Sequence, residues 1–249
     1  NIDMQKIIIS KGFEGLGDRL QSLSYCMIYA LNRNRIIKID WSDRLWRDSF
    51  HNYFQVIGIP YTTDEIDFAN KSVEPEIWSL IGNRNSDKWI YNLKDQKLED
   101  STADIIVHSG VGFRSWNMPL LTNHLRILPE IHPQIYRGNL PVVHLRGTDR
   151  LHQSRELINI FDKSGPAAVV SDDQRLIDEW LKLSTDSQIL STGRPDFKPI
   201  HYSDDENIFK RNSKAIADFM TIALAKTAYS NNEDSLFYTM ARSLSSPEK

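Results

Sequence analysis

The sequence predicts an α/β protein in two halves, each built on a parallel sheet, with a cleft between them. Three observations carry that prediction. Residues 6–40 read as strand, glycine-rich turn, helix, strand, which is a βαβ unit. From Val142 onward, short apolar strands again alternate with amphipathic helices. Between the two series, "PEIHPQIYRGNLP" gathers three of the chain's ten prolines and a glycine. The division is therefore expected near residues 129–141, with domains 1–135 and 136–249.

Taken in order, "KIIIS" is the first strand and "KGFEGLGDR" the turn. Leu20, Leu23, Met27, Ala30 and Leu31 recur at helical spacing, and "RIIKID" is the second strand. Residues 41–97 are less regular, with one helix expected near 49–57. "DIIVHS" returns to a buried strand, and helical residues are expected in "PLLTNHLRIL". In the second half "VVHL", "AAVVS", "QIL" and "TAYS" read as strands. "RLIDEWLKL" puts Leu176, Ile177, Trp180 and Leu181 on one helical face. "SKAIADFMTIALA" does the same with Ile216, Phe219, Met220, Ala223 and Leu224. "DSLFYTMARSL" starts a last helix, with Asp234 or Ser235 as N-cap.

Composition narrows the function classes. With 249 residues and 40% hydrophobic content, the chain can bury a real core. Its net charge of −3 provides no global basic field, so a nucleic-acid partner is not expected, although six Trp and nine Tyr could stack bases. An anion site must be assembled locally from a few Arg and Lys. No apolar run is long enough to span a bilayer, and no secretory leader is visible. The chain begins at Asn1, which leaves trimming upstream open. Its one cysteine, Cys26, lies in an apolar periodic run and is expected to be a small buried hydrophobe in a reducing, cytoplasmic compartment.

In open parallel sheets, ligands bind beyond the carboxyl ends of the strands, and four such ends carry polar or glycine-rich loops. In "GFEGLGDR", Gly15 and Gly17 admit close approach of a ligand, and the following helix offers free N–H groups; alternatively the loop is only a tight turn. In "HLRGTDR", Arg146 can hold a diphosphate through charge-assisted hydrogen bonds, or pair with Asp149. In "VVSDDQR", Asp172 and Asp173 can read a guanine edge, bind a divalent cation, or cap the next helix. In "SNNEDSLF", Ser235 and the helix start can receive a phosphate. The aromatics of "DWSDRLWRDSF" are core or an acceptor-sugar platform.

In their order and spacing these pieces resemble the fucosyltransferase superfamily of nodulation fucosyltransferases, α1,6-fucosyltransferases and protein O-fucosyltransferases. "GFEGLGDRLQSLSYCMIYALNRNRIIKIDW" is similar to the N-terminal glycine loop, helix and strand end of the nodulation enzymes. "VVHLRGTDR" matches the His-x-Arg-x-x-Asp signature that opens the donor domain, and "VVSDDQRLIDE" resembles the acidic loop after it. "SKAIADFMTIALAKTAYSNNEDSLFYTMARSL" is similar to the final helix, strand and loop. The resemblance does not extend to residues from about 42 to 135.

The resemblance implies two Rossmann-like domains facing a cleft, the GT-B type. It also implies inverting, metal-independent transfer of fucose from GDP-fucose to a glycan or related acceptor. Arg146 would hold the β-phosphate and neutralise the leaving GDP. His144 would contact guanine or ribose, Asp172 or Asp173 the guanine N1 and N2 groups, and Ser235 a phosphate oxygen. Gly15 and Gly17 would line the cleft, with Asp18 and Arg19 facing donor or acceptor. Asp18, Glu14 or Asp149 are the candidate bases. No metal or other cofactor is implied. The chain departs from the pattern at Gly147, where α1,6-fucosyltransferases carry a second Arg that Arg150 would have to replace. It departs again at Glu233 and Asp234, acids where the family has neutral Ser and Thr. Another nucleotide-sugar as donor, and a non-catalytic glycan- or nucleotide-binding relative, are the competing readings.

Overall fold

The computed structural model describes residues 5–12, 14–75, 101–108, 117–147, 150–161, 165–190, 207–230 and 235–244. The chain divides into two compact units, Asn1–Leu128 and Pro129–Lys249, so the proline-rich stretch opens the second unit.

In the first unit β1 (Ile7–Ser10), α1 (Leu16–Arg33) and β2 (Ile36–Ile39) form the βαβ unit. β4 (Tyr61–Thr62), β5 (Val73–Glu74) and β6 (Ile105–His108) complete a five-stranded parallel sheet in the order β4-β2-β1-β6-β5. Ile8 sits between Ile37 and Ile106, and all three are fully buried. Such near-continuous burial is what a parallel sheet covered on both faces demands. α1 buries Leu20, Leu23, Met27 and Ala30, while Leu31, expected on the same stripe, turns to solvent at 47% exposure. The helix stops at Asn34, whose left-handed backbone sends its N–H to the Ala30 carbonyl. Cys26 is fully buried, and burial raises its thiol to about 12.

The helix expected near 49–57 does not form. Phe50–Asn52 make one 3-10 turn, and β3 (Phe54–Val56) then pairs antiparallel with β7 (Leu125–Ile127). Asp48 explains the arrest: its Oδ1 accepts from the Ser49 amide at 2.8 Å and from Asn52 Nδ2 at 2.7 Å, and its Oδ2 from the Tyr53 hydroxyl at 2.6 Å. The helix expected in "PLLTNHLRIL" is shortened to α2 (Met118–His124), capped by Asn117, and β7 follows directly. Trp41, Trp46 and Phe50 are core, packed edge-to-face, which removes them as an acceptor platform.

The second unit carries β8 (Val142–Leu145), α3 (Leu151–Ile160), β9 (Ala168–Ser171), α4 (Gln174–Leu183), β10 (Gln188–Ile189), α5 (Ile208–Leu224), β11 (Ala228–Ser230) and α6 (Leu236–Ser243). Its sheet is parallel throughout, in the order β10-β9-β8-β11. Val143, Leu145, Val169, Leu157, Leu176 and Trp180 form its core. The architecture is α/β with one parallel sheet in each unit.

Candidate functional site

The carboxyl edge of the second unit's sheet collects the polar residues. β8 is interior, with β9 on one side and β11 on the other, so the carboxyl ends of these three strands lie side by side. His144 pairs in register with Val170 of β9 and Ser230 of β11. Its Nδ1 lies 3.2 Å from the Ser230 hydroxyl, and its ring stacks parallel to Tyr238 of α6 at 6.1 Å. Burial, reinforced by the nearby charge of Arg146, lowers the imidazole to about 4, so it is neutral at physiological pH. His144 is therefore a hydrogen-bonding and stacking group rather than a cation.

Arg146 follows β8 directly and is half-buried. Its carbonyl accepts from the Ser154 hydroxyl of α3 at 2.6 Å. The next amide, Gly147 N–H, donates to Asp172 Oδ1 at 2.7 Å. Burial raises Asp172 above the ordinary carboxylate range, opposed by the Gly147 amide and the Arg146 charge. A carboxylate sheltered beside an arginine is a natural acceptor for two N–H groups of a ligand. Gly147 is dictated by packing: a Cβ there would lie 2.6 Å from Asp173 Oδ2 and still closer to Asp173 Cβ. The second arginine of the α1,6 pattern has no room in this loop.

Asp173 does not belong to the ligand-facing set. It is fully buried and caps α4 by accepting the Arg175 amide at 2.9 Å. Its two oxygens also take Arg175 Nε at 2.9 Å and Nη2 at 2.5 Å. Helix capping and this ion pair explain the residue, and of the two acids only Asp172 is left as a candidate guanine reader. Ser235 stands at the start of α6 with 5% exposure, and its hydroxyl has no hydrogen-bond partner among the described residues. The hydroxyl is not spent on capping its own helix, and the first-turn N–H groups beside it have no partner within α6. A helix start with a spare buried hydroxyl suits a phosphate oxygen.

In the first unit, Gly15 is the N-cap of α1 in extended conformation, Gly17 is buried in the first turn, and Asp18 is half-buried there. Glu14 and Gly12 carry the left-handed backbone of the turn, at φ 64 and 53. A Cβ on Gly12 would meet Trp41 Nε1 at 2.8 Å, so the tight turn is the reason for that glycine. Arg19 does not face a ligand: it is fully buried and grips Asp43, with its Nε on the Glu14 carbonyl at 3.1 Å. Asp149, Glu233 and Asp234 lie outside the described residues. Among the described residues no group of three His, Cys, Asp or Glu side chains converges to hold a metal ion, and no helix is long and apolar enough to cross a membrane.

Sequence reasoning missed Ser154, Ser230 and Tyr238. Ser230 ends a strand and was findable by the rule that led to the other loops. Ser154 lies in α3, a helix the pattern did not announce.

No family model and no curated protein matches the chain. Solved structures do. One is a NodZ alpha-1,6-fucosyltransferase co-crystallized with GDP, 22% identical, with a TM-score of 0.72 over 96% of this chain and 92% of that one. The chain has the NodZ fold. A second NodZ fucosyltransferase structure, from Bradyrhizobium, gives 20% identity and a TM-score of 0.73 over 96% and 93% of the two chains. Arabidopsis thaliana FUT1 in complex with GDP is more distant, at 14% identity and a TM-score of 0.50 over 97% of this chain and 68% of that one. The NodZ fold is of the GT-B type, and that fold class is the one the sequence predicts.

Proposed function

We propose that the chain is a glycosyltransferase that transfers fucose from GDP-fucose to a glycan or related acceptor by an inverting, metal-independent displacement. The observation that carries the reading is the gathering of His144, Arg146, Asp172 and Ser235 on the carboxyl edge of one parallel sheet. Solved NodZ structures support the donor assignment, since one was co-crystallized with GDP and another soaked with GDP-fucose.

Each residue has a role that its surroundings suit. Asp172 accepts from guanine N1 and N2, and neutral His144 contacts base or ribose. Arg146 takes the β-phosphate, and Ser235 with the α6 amides takes a further phosphate oxygen. In the reaction the bond from fucose C1 to the phosphate oxygen breaks and the acceptor oxygen bonds to C1 from the opposite face. The hydroxyl proton leaves to a base, and the electron pair goes to GDP. The negative charge growing on the diphosphate is where fixed donors help most, and Arg146 is the cationic donor that would stabilise it. The second unit is the donor domain in this reading and the first the acceptor side, with Gly15, Gly17 and Asp18 as its candidate lining and Asp18 or Glu14 as candidate base.

Calorimetry with GDP, UDP and ADP tests the donor, followed by an assay of GDP-fucose turnover. GDP is expected to bind most tightly. Equal affinity for the three, or no GDP binding, overturns the assignment. Tight GDP binding without turnover of GDP-fucose would favour a non-catalytic nucleotide binder.

A further inference from the structure

We propose that Ser154 is a positioning residue for Arg146 and that, together with Asp172, it clamps the peptide group between Arg146 and Gly147. The proposal rests on the nucleotide-binding reading above. A peptide group offers one acceptor and one donor, pointing in opposite directions. Here the acceptor, the Arg146 carbonyl, receives the Ser154 hydroxyl at 2.6 Å. The donor, the Gly147 N–H, goes to Asp172 Oδ1 at 2.7 Å. One clamp residue comes from the helix after the loop and the other from the end of the adjacent strand, so the plane of the peptide is held from both sides. The Gly147 carbonyl accepts from the Arg150 amide at 2.9 Å, and Gly147 packs on Asp173, which fixes the following residue as well.

The consequence is preorganisation. Holding that plane fixes the direction in which the Arg146 side chain leaves the backbone, so less freedom is lost when the guanidinium meets a phosphate. Ser154 has no solvent exposure, so it acts through Arg146 and not on the nucleotide. Asp172 would join two tasks in one carboxylate: Oδ1 holds the loop, and in the nucleotide-binding reading Oδ2 would meet the base.

The test is calorimetry on the full chain with GDP and with guanosine, for the wild type, Ser154→Ala and Ser154→Thr. Ser154→Ala is expected to weaken GDP about tenfold while guanosine affinity stays at the wild-type value, and Ser154→Thr, which keeps the hydroxyl, restores GDP affinity. Should Ser154→Ala unfold, Ser154→Cys, close in volume and a poorer donor, supplies the same comparison. GDP and guanosine affinities falling together would mark a merely structural role and overturn the proposal, as would an Ala or Cys variant that binds GDP like the wild type. Failure of the wild type to bind GDP would remove the nucleotide reading and the clamp with it, whereas wild-type binding with indifferent variants overturns the clamp alone.

Discussion

Arg19 holds Asp43 through two nitrogens, Nη1 at 2.7 Å from Oδ2 and Nη2 at 2.8 Å from Oδ1, and neither side chain reaches solvent. The guanidinium also lies 5.6 Å from the centre of the Trp41 ring and 5.5 Å from that of Trp46. Asp43 Oδ1 in turn accepts the Leu45 and Trp46 amides at 3.0 and 3.3 Å. Breaking a buried pair strands the surviving charge, so Asp43→Ala is expected to cost about 3–5 kcal/mol in urea unfolding. A loss below about 1 kcal/mol would show that the pair does not hold the turn together.

Arg146→Ala is expected to lower turnover of GDP-fucose by about 10² to 10³ with little change in melting temperature, because the side chain is half-buried at a loop and not part of the core. Steady-state kinetics beside a thermal melt checks both halves. Near wild-type turnover in a folded variant removes Arg146 from the reaction.

Asp172→Asn is expected to raise stability and weaken GDP binding. The folded chain holds the Asp172 proton more tightly than the unfolded chain does, so its stabilising contribution is present at low pH and lost as pH rises through the folded value. At neutral pH the buried carboxylate is therefore a liability, which Asn relieves while still accepting the Gly147 amide. In the wild type, GDP affinity should fall as acid protonates Asp172, starting at a higher pH than an ordinary carboxylate would need, and the Asn variant should lose that dependence. A variant that melts lower and binds GDP normally contradicts both expectations.

The buried imidazoles give a second pH signature. Burial lowers His108 to about 4, as it does His144, against an ordinary value of 6.5. Each ring is neutral when folded and gains a proton on unfolding, so the stability they contribute is intact above 6.5 and lost as pH falls toward 4. His108 sits under the ring of Tyr25 with its Nδ1 3.0 Å from the Ser22 hydroxyl. Thermal melts across this window should fall with acid and fall less steeply in His108→Gln. Parallel slopes in the two proteins would remove His108 from the account.

Gly147→Ala is expected to destabilise the second unit by about 1–3 kcal/mol, since the added methyl runs into Asp173 and disturbs the α4 cap. Gly147→Arg should lose GDP affinity and not gain a phosphate contact. Calorimetry that finds tighter GDP binding in the Arg variant would show that the loop can open.

The longer strands are legible because each is apolar and bounded by turn residues, and "VVHL" and "AVVS" are buried at every position, whereas the two- and three-residue strands β3, β4, β5 and β7 are too short to show a pattern. Arg146, Asp172 and Ser235 can be proposed from the sequence because strand ends and helix starts are where such residues can meet a ligand, and the fold brings all three to one sheet edge. The helix near 49–57 was misread because Phe50 and Phe54 sit four apart, a spacing shared by a helix and by a turn feeding a strand, and only the side-chain bonds of Asp48 separate the two. Arg19 and Asp173 were misassigned for a common reason: a charged residue in a glycine loop or at a strand tip looks ligand-facing until its partner, Asp43 or Arg175, is known. Those partners are set by tertiary packing for Arg19 and by side-chain geometry for Asp173, and neither is a pattern in the sequence.

Because β8 is flanked by β9 and β11, it acquires its last neighbour from far along the chain: Ser230 and His144 are 86 residues apart. During synthesis the strand that leads into Arg146 therefore carries one bare row of backbone amides and carbonyls until residues 228–230 leave the ribosome. That interval is when a nascent chain could pair with the wrong edge, and a ribosome stalled before residue 228 would release a product with the stacking partner of His144 missing.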